Sequence, residues 1–391
     1  MTKNIDFRIE KVPNLTEKEK NYLKKFNNKI NFEIEHKGKK YLAFRYQHNN
    51  DLGPYKGGFR YHPKVDEKEV ENLAFFMSMK CSLANLPFGG AKGGVQINPK
   101  DLSKEDLEEI TRKFVRGLKK HIGPNKDIPA PDVYTNSSIM SIFLDEFEKI
   151  TKQKSPGVVT GKPLVLGGSH VRDIATALGG YFILEEMIKK LNLKNPSVAI
   201  QGFGNAGLNF AKLLSNKGIK IIAISDSKGV VVNDKGIDIK AQIKHKELKG
   251  ELLDYSKEIK DILDVKSDVL IPAALSDFIT KDNVSKVQSK LILELANGPV
   301  SFEADKVLEE KGVVVIPDIL ANSGGVIVSY FEWVQNRTGF YYEKEEVKKM
   351  LKKKILEALN NVYKKETNLR DSCYSYACKR ILEAGKFRGN L

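Results

Sequence analysis

Val198-Ala199-Ile200-Gln201-Gly202-Phe203-Gly204-Asn205-Ala206-Gly207 sets how the rest of the chain is read. An apolar run of strand character leads into GxGxxG, and a helical pattern follows at Leu208, Ala211, Leu213 and Leu214. Gly202 provides a tight turn, Gly204 lets backbone approach a pyrophosphate, and Gly207 lets helix and strand pack closely. Asn205 and Ala206 complete the start of a helix whose N-terminus can hold phosphate. A second strand, Ile221 to Ile224, leads to Asp226, close to the roughly 20-residue offset at which a carboxylate takes the adenosine ribose. That favours NAD. Ser225, Ser227 and Lys228 could instead hold a 2'-phosphate, so dual use with NADP stays open; Asp226-Ser227-Lys228-Gly229 also reads as a plain polar turn.

Outward from this stretch, short β-branched runs at Val269 to Ile271, Leu291 to Leu295 and Val313 to Ile316 alternate with helical patterns. The alternation implies a largely parallel sheet covered by helices, an α/β fold. Before residue 196 strands and helices mix differently. Thr16 and Glu19 form a capping-box signal, and 31–36 and 41–47 read as a hairpin around Lys37-Gly38-Lys39-Lys40. Val70, Leu73, Ala74, Met77, Cys81 and Ala84 share one helical face, and a further helix starts at Ser103, with Asp106 at the capping offset and Leu102 and Leu107 as a staple. A chain of 391 residues exceeds what one core comfortably fills, so two domains are expected, divided within Ser155 to Gly168.

The net charge is +15. Much of the excess is lysine on the solvated side of amphipathic helices such as Val347 to Leu359, which argues against nucleic acid and suits steering of an anionic substrate and cofactor. No apolar run is long enough to span a bilayer and the N-terminus lacks a signal-peptide core, so a cytoplasmic address without membrane attachment is expected. Cys81, Cys373 and Cys378 show no CxxC spacing and His36, His48, His62, His121, His170 and His245 no ligand spacing, so no metal site is expected. Gly157-Val158-Val159-Thr160-Gly161-Lys162-Pro163 has one residue too few between its glycines for a phosphate loop, and Pro163 replaces the Mg²⁺-binding hydroxyl.

Lysines stand in unusual company. Gly53-Pro54-Tyr55-Lys56-Gly57-Gly58 and Gly89-Gly90-Ala91-Lys92-Gly93-Gly94 set an amine among glycines, where backbone and amine can both approach a small ligand. Lys80 lies at the edge of an apolar helix face and must find a carboxylate, reach water or lose its proton. Any one of these read alone is a solvated lysine. Brought together they would repel one another, and partial desolvation would lower one pKa enough for base chemistry near neutral pH. Asp132, in Pro129-Ala130-Pro131-Asp132-Val133, is either a proton carrier or a helix cap.

Together these segments resemble the glutamate/leucine/phenylalanine/valine dehydrogenases. The resemblance rests on GPYKGGFR at 53–60, KCSLANLPFGGAKGGV at 80–95, PAPDV at 129–133, TGKP at 160–163, GGS at 167–169, GFGNAG at 202–207, ANGP at 296–299 and PDILANSGGVIVSYFEW at 317–333. It implies an N-terminal α/β substrate and oligomerisation domain over 1–167, with a C-terminal helix at 373–391 packing back on it, and a Rossmann-type domain over 168–372. It further implies an active site in a cleft between domains, reversible oxidative deamination with hydride transfer to NAD(P), and a homohexamer.

On matching positions the resemblance implies that Lys56 and Ser329 hold the side-chain carboxylate of glutamate and Lys80 the α-carboxylate, with Gly57 and Met77 beside them. Lys92 would activate water and Asp132 would carry the amine proton. Thr176 and Asn205 would hold the nicotinamide amide, and Asn297 and Asn322 would also face the cofactor. Relatives acting on leucine, phenylalanine or valine lack a lysine at the position of Lys56, since an unpaired cation against an apolar side chain is costly. Glutamate is therefore the expected substrate, with 2-oxoglutarate and ammonia as products. The alternatives are a neutral branched or aromatic amino acid, or a catalytically silent cofactor- or RNA-binding protein. The chain departs from the family's usual wording at Leu295, Ser323 and His170-Val171.

Overall fold

In Tyr55-Lys56-Gly57-Gly58-Phe59-Arg60-Tyr61 aromatic residues alternate with basic residues and glycine, and a strand sends such alternating positions to opposite faces. The computed structural model, which describes residues 3–365 and 367–391, makes this stretch one of five strands in a first sheet. They are β1 (Asn28–His36), β2 (Lys39–Gln47), β3 (Tyr55–Tyr61), β4 (Ala91–Val95) and β5 (Asp127–Pro131), in the order β1-β2-β4-β3-β5. β1 and β2 are the expected hairpin, turning through Lys37 and Gly38, both at positive φ. β3 runs parallel to both β4 and β5. The lysine-glycine stretches are therefore central strands. β5 can carry Pro129 and Pro131 because it is an edge, where a missing N–H breaks no ladder.

Phe59 and Tyr61 send one face of β3 into a core with Ile34, Phe114 and Phe143. Glycine at 57 is required by packing, since a Cβ there would lie 1.6 Å from the Ala91 carbonyl oxygen. Behind the sheet, Arg45 on β2 is fully buried against Asp127, with Nε 2.9 Å from Oδ2. Its Nη1 donates to the carbonyls of Gly57 and Gly58 at 3.2 and 3.1 Å. One guanidinium thus fixes β2, β3 and β5 together. Lysine has the charge but not the planar fork, so Arg45→Lys should lower stability by about 1.5–3 kcal/mol; the urea unfolding midpoint measures it, and an unchanged midpoint would contradict this role.

The helix Glu67–Leu83 is capped by Asp66, whose side chain accepts from the Glu69 N–H. It buries Val70, Ala74, Phe75 and Met79, and Lys80 with them. The expected capping box at Thr16 and Glu19 is present, and Ser103 caps the helix Lys104–Leu118 by accepting from the Asp106 N–H.

A second sheet comprises β6 (Val198–Gln201), β7 (Ile221–Ser225), β8 (Val230–Val232), β9 (Val269–Pro272), β10 (Leu291–Leu293) and β11 (Val314–Ile316). Their order is β11-β10-β9-β6-β7-β8, with all neighbours parallel except antiparallel β7 and β8. The expected parallel α/β sheet is present. β8, three residues long, is an addition to the expected set.

The chain divides into two compact units. One holds Met1–Arg172, Val326–Met350 and Tyr374–Leu391, the other Asp173–Gly325 and Leu351–Cys373. Segment 326–350, assigned from sequence to the second domain, groups with the first. The reason lies in the helix Gly324–Thr338: Glu332 accepts the Gly161 N–H at 2.8 Å and pairs with Lys162 Nζ at 2.7 Å, while Gln335 donates to the Gly167 and Gly168 carbonyls. Among the described residues no helix is long and apolar enough to cross a membrane.

Candidate active site

Because β3 and β4 are adjacent parallel strands and β5 flanks β3, their side chains collect on one part of the first unit. Lys56 is buried and donates to the Ile128 carbonyl at 3.0 Å. Burial, then the charge of Arg172, brings its pKa down to about 7. Arg172 in turn donates from Nε to the Ser329 hydroxyl at 3.2 Å. Lys56, Arg172 and Ser329 thus form one end of the cluster, lying within a single unit.

Lys92, also buried, forms the other end with Asp132, Nζ standing 2.9 Å from Oδ2. Burial lowers the Lys92 pKa to about 8 even though Asp132 opposes the shift; Arg60 and Lys80 add like charge. Burial pushes the Asp132 carboxyl up, but Lys92 and Arg60 outweigh it and hold the group well below the usual carboxylate range. Lys80 is buried in the last turn of Glu67–Leu83, close enough to Lys92 to influence its proton. Gly57 and Met77 meet beside these groups: a Cβ on Gly57 would lie 3.3 Å from the Met77 Cγ. Three amines, one carboxylate and one hydroxyl are what a dicarboxylic amino acid would require.

Asp132 is not a helix cap. Its backbone N–H donates to the Thr135 hydroxyl at 2.7 Å, and Asn136 caps the next helix. Arg60 and Arg172 were not singled out from sequence. Arg60 Nε lies 2.6 Å from Asp132 Oδ2, and the same guanidinium pairs with Glu69. Its signal was the i, i+2, i+4 spacing of Lys56, Gly58 and Arg60, which only a strand turns into one face. Val171, before Arg172, is buried at φ +58°, an uncommon conformation for a β-branched residue.

In the second unit the glycine motif sits as its spacing demands, between β6 and the helix Asn205–Asn216. Gly202 has φ +92°, and a Cβ on Gly207 would lie 1.9 Å from the Gly202 carbonyl oxygen. No side chain caps the helix at Gly204, and a Cβ there would meet open space. Its first N–H groups, Asn205 and Ala206 included, therefore suit a phosphate. Asp226 follows β7, and its Oδ1 accepts the Lys228 N–H at 2.9 Å, so the polar turn exists and the carboxylate stands in it.

Asn322 donates its amide to Asn297 Oδ1 at 3.1 Å and to the carbonyls of Leu295 and Ala296, while its own Oδ1 is buried with no partner. An orphaned acceptor beside a second amide fits a donor from an incoming carboxamide. Thr176 lies in the first turn of the helix Ala175–Lys190. These residues fit a nicotinamide dinucleotide. The departures are accommodated: Leu295 is buried over Gly180, and the Ser323 hydroxyl donates to the Ile319 carbonyl. Among the described residues no group of three or more His, Cys, Asp or Glu could hold a metal ion.

Two family models match this chain. The model described as Glutamate/Leucine/Phenylalanine/Valine dehydrogenase covers residues 167–389, and the dimerisation-domain model of the same family covers 27–149. The chain belongs to the glutamate/leucine/phenylalanine/valine dehydrogenase family.

Among family relatives, the NAD-specific glutamate dehydrogenase of Staphylococcus aureus (strain COL) is 43% identical over 360 residues, covering 90% of this chain and 87% of that relative. The glutamate dehydrogenase of Peptoniphilus asaccharolyticus superposes with a TM-score of 0.86 at 37% identity, covering 98% of this chain and 99% of that one. The leucine-bound hetero-hexameric glutamate dehydrogenase of Thermus thermophilus superposes with a TM-score of 0.93 at 30% identity, covering 99% and 95%. Both family models together take in the lysine cluster and the glycine turn.

Proposed function

We propose that this dehydrogenase oxidises L-glutamate with NAD and water, giving 2-oxoglutarate, ammonia and NADH. The observation that carries the reading is Lys56, buried beside Arg172 and Ser329 in the unit that also buries Lys80, Lys92 and Asp132. In this reading Lys56 and Ser329 hold the distal carboxylate and Lys80 the α-carboxylate, with Gly57 and Met77 lining the space between. Once the α-hydrogen has left and the α-carbon has become an imine, Lys92 takes a proton from the water that adds to that carbon, and Asp132 gives a proton to the nitrogen that departs as ammonia. When bound, the nicotinamide ring supplies the acceptor for the α-hydrogen as hydride. Gly202, Gly204, Asn205, Ala206 and Gly207 seat its phosphates, Asp226 its adenosine ribose, and Thr176, Asn205, Asn297 and Asn322 its carboxamide. The relatives named NAD-specific glutamate dehydrogenases support this reading. Purified protein given glutamate and NAD should form NADH and 2-oxoglutarate in equal amounts, and leucine should not substitute; NADH formed faster from leucine would overturn the assignment.

Lys56 must be charged to hold a carboxylate and Lys92 neutral to act as a base. With the free site at about 7 and about 8 respectively, low pH protonates Lys92 and high pH discharges Lys56. The kcat/KM profile for glutamate should therefore be a bell with its maximum between these two values. A profile that climbs steadily through this range would contradict the pairing of roles. We also propose a cytoplasmic homohexamer; a sedimentation mass of six chains is expected.

A further inference from the structure

Outside the glycine turn, the end of β7 carries a charged arrangement that no comparison assigns. Asp226 accepts from the Tyr255 hydroxyl, which stands 3.0 Å from both carboxylate oxygens and itself accepts the Leu252 N–H at 3.0 Å. Glu251, beside that loop, is ion-paired to Lys228. The Lys246 ammonium lies 3.6 Å from Asp226 Oδ2 and 5.7 Å from the centre of the Phe203 ring, the residue between Gly202 and Gly204. Two lysines and two carboxylates thus balance around the point where the adenosine ribose is placed, and each lysine is already engaged.

We propose that Glu251 is a specificity-determining residue for the cofactor: by holding Lys228 and adding a negative charge, it makes this end reject a 2'-phosphate, while Tyr255 aims Asp226 at the ribose hydroxyls. The inference rests on the NAD reading above. A 2'-phosphate would bring about two negative charges to a cluster whose two lysines already face carboxylates, whereas a 2'-hydroxyl needs only an acceptor. Removing Glu251 leaves the cluster with a net positive charge and releases the Lys228 amine. Tyr255 packs its ring against Gly229, where a Cβ would come 3.0 Å from the ring edge, so the hydroxyl can be removed while the ring keeps its seat.

The test is direct binding, by calorimetry and by reduced-nicotinamide fluorescence, of NADH and NADPH to the full-length protein at low ionic strength, where charge effects are least screened. Glu251→Gln should tighten NADPH about tenfold, equivalent to about 1.4 kcal/mol, and leave NADH nearly unchanged. Tyr255→Phe should weaken NADH several-fold and NADPH less, because a phosphate gains nothing from Asp226. Glu251 and Lys228 are both substantially exposed, so the glutamine variant should fold. Equal changes for both dinucleotides, or no change in their ratio, would overturn the proposal. If the unaltered protein binds NADH and Glu251→Gln does not shift the ratio, only this inference falls; if it binds neither dinucleotide, the functional reading falls with it.

Discussion

Lys92→Ala should lower kcat for glutamate oxidation by roughly 10²- to 10⁴-fold, the range associated with losing a positioned acid or base, and leave NADH affinity unchanged. The buried Lys92 amine has a pKa brought down to about 8 and lies 2.9 Å from Asp132. Asp132 keeps Arg60 as a partner at 2.6 Å when the lysine is gone. The substitution therefore removes a proton acceptor without stranding a buried carboxylate, and the fold should survive. Single-turnover rates and fluorescence titration with NADH separate the two effects. A parallel loss of turnover and NADH binding would make Lys92 a structural residue instead.

Lys56→Leu should cost glutamate roughly 10²- to 10³-fold in kcat/KM, because a carboxylate brought into a buried site would lack its cation. Arg172 and Ser329 remain nearby and keep the loss from being total. The same change removes an unpaired cation from the path of an apolar side chain, so turnover of norleucine or leucine, measured alongside glutamate, should rise. If glutamate is unaffected while Lys80→Leu abolishes its use, the distal carboxylate is held elsewhere.

The dinucleotide half was legible because its signals are local. A strand, three spaced glycines and a helix need only neighbours to be recognised: Gly202 is called for by its positive φ, and Gly207 by its close approach to the Gly202 carbonyl in that same turn. Hairpin β1-β2 and the capped helices were equally local. The lysine strands were harder. Glycines at 57, 58, 93 and 94 lower strand propensity, yet Gly57 is required by the Ala91 carbonyl of a neighbouring strand far away in sequence. Once β3 is taken as a strand, Arg60 falls on the same face as Lys56, and its position on Asp132 becomes expected. Arg172 had no such route. Its contact with Ser329 spans 157 positions and depends on the helix Gly324–Thr338 joining the first unit. That grouping rests on buried pairs such as Lys162 with Glu332, which no local pattern announces.

That separate strands and a helix of the first unit deliver three amines to one dicarboxylic molecule is open to a single direct measurement: a crystal structure of the protein soaked with 2-oxoglutarate. The Lys56 amine should lie within hydrogen-bond distance of the distal carboxylate and the Lys80 amine within the same distance of the α-carboxylate, with Lys92 between them near the keto carbon. A ligand seated away from all three amines, or held by Lys56 at its α-carboxylate, would contradict it.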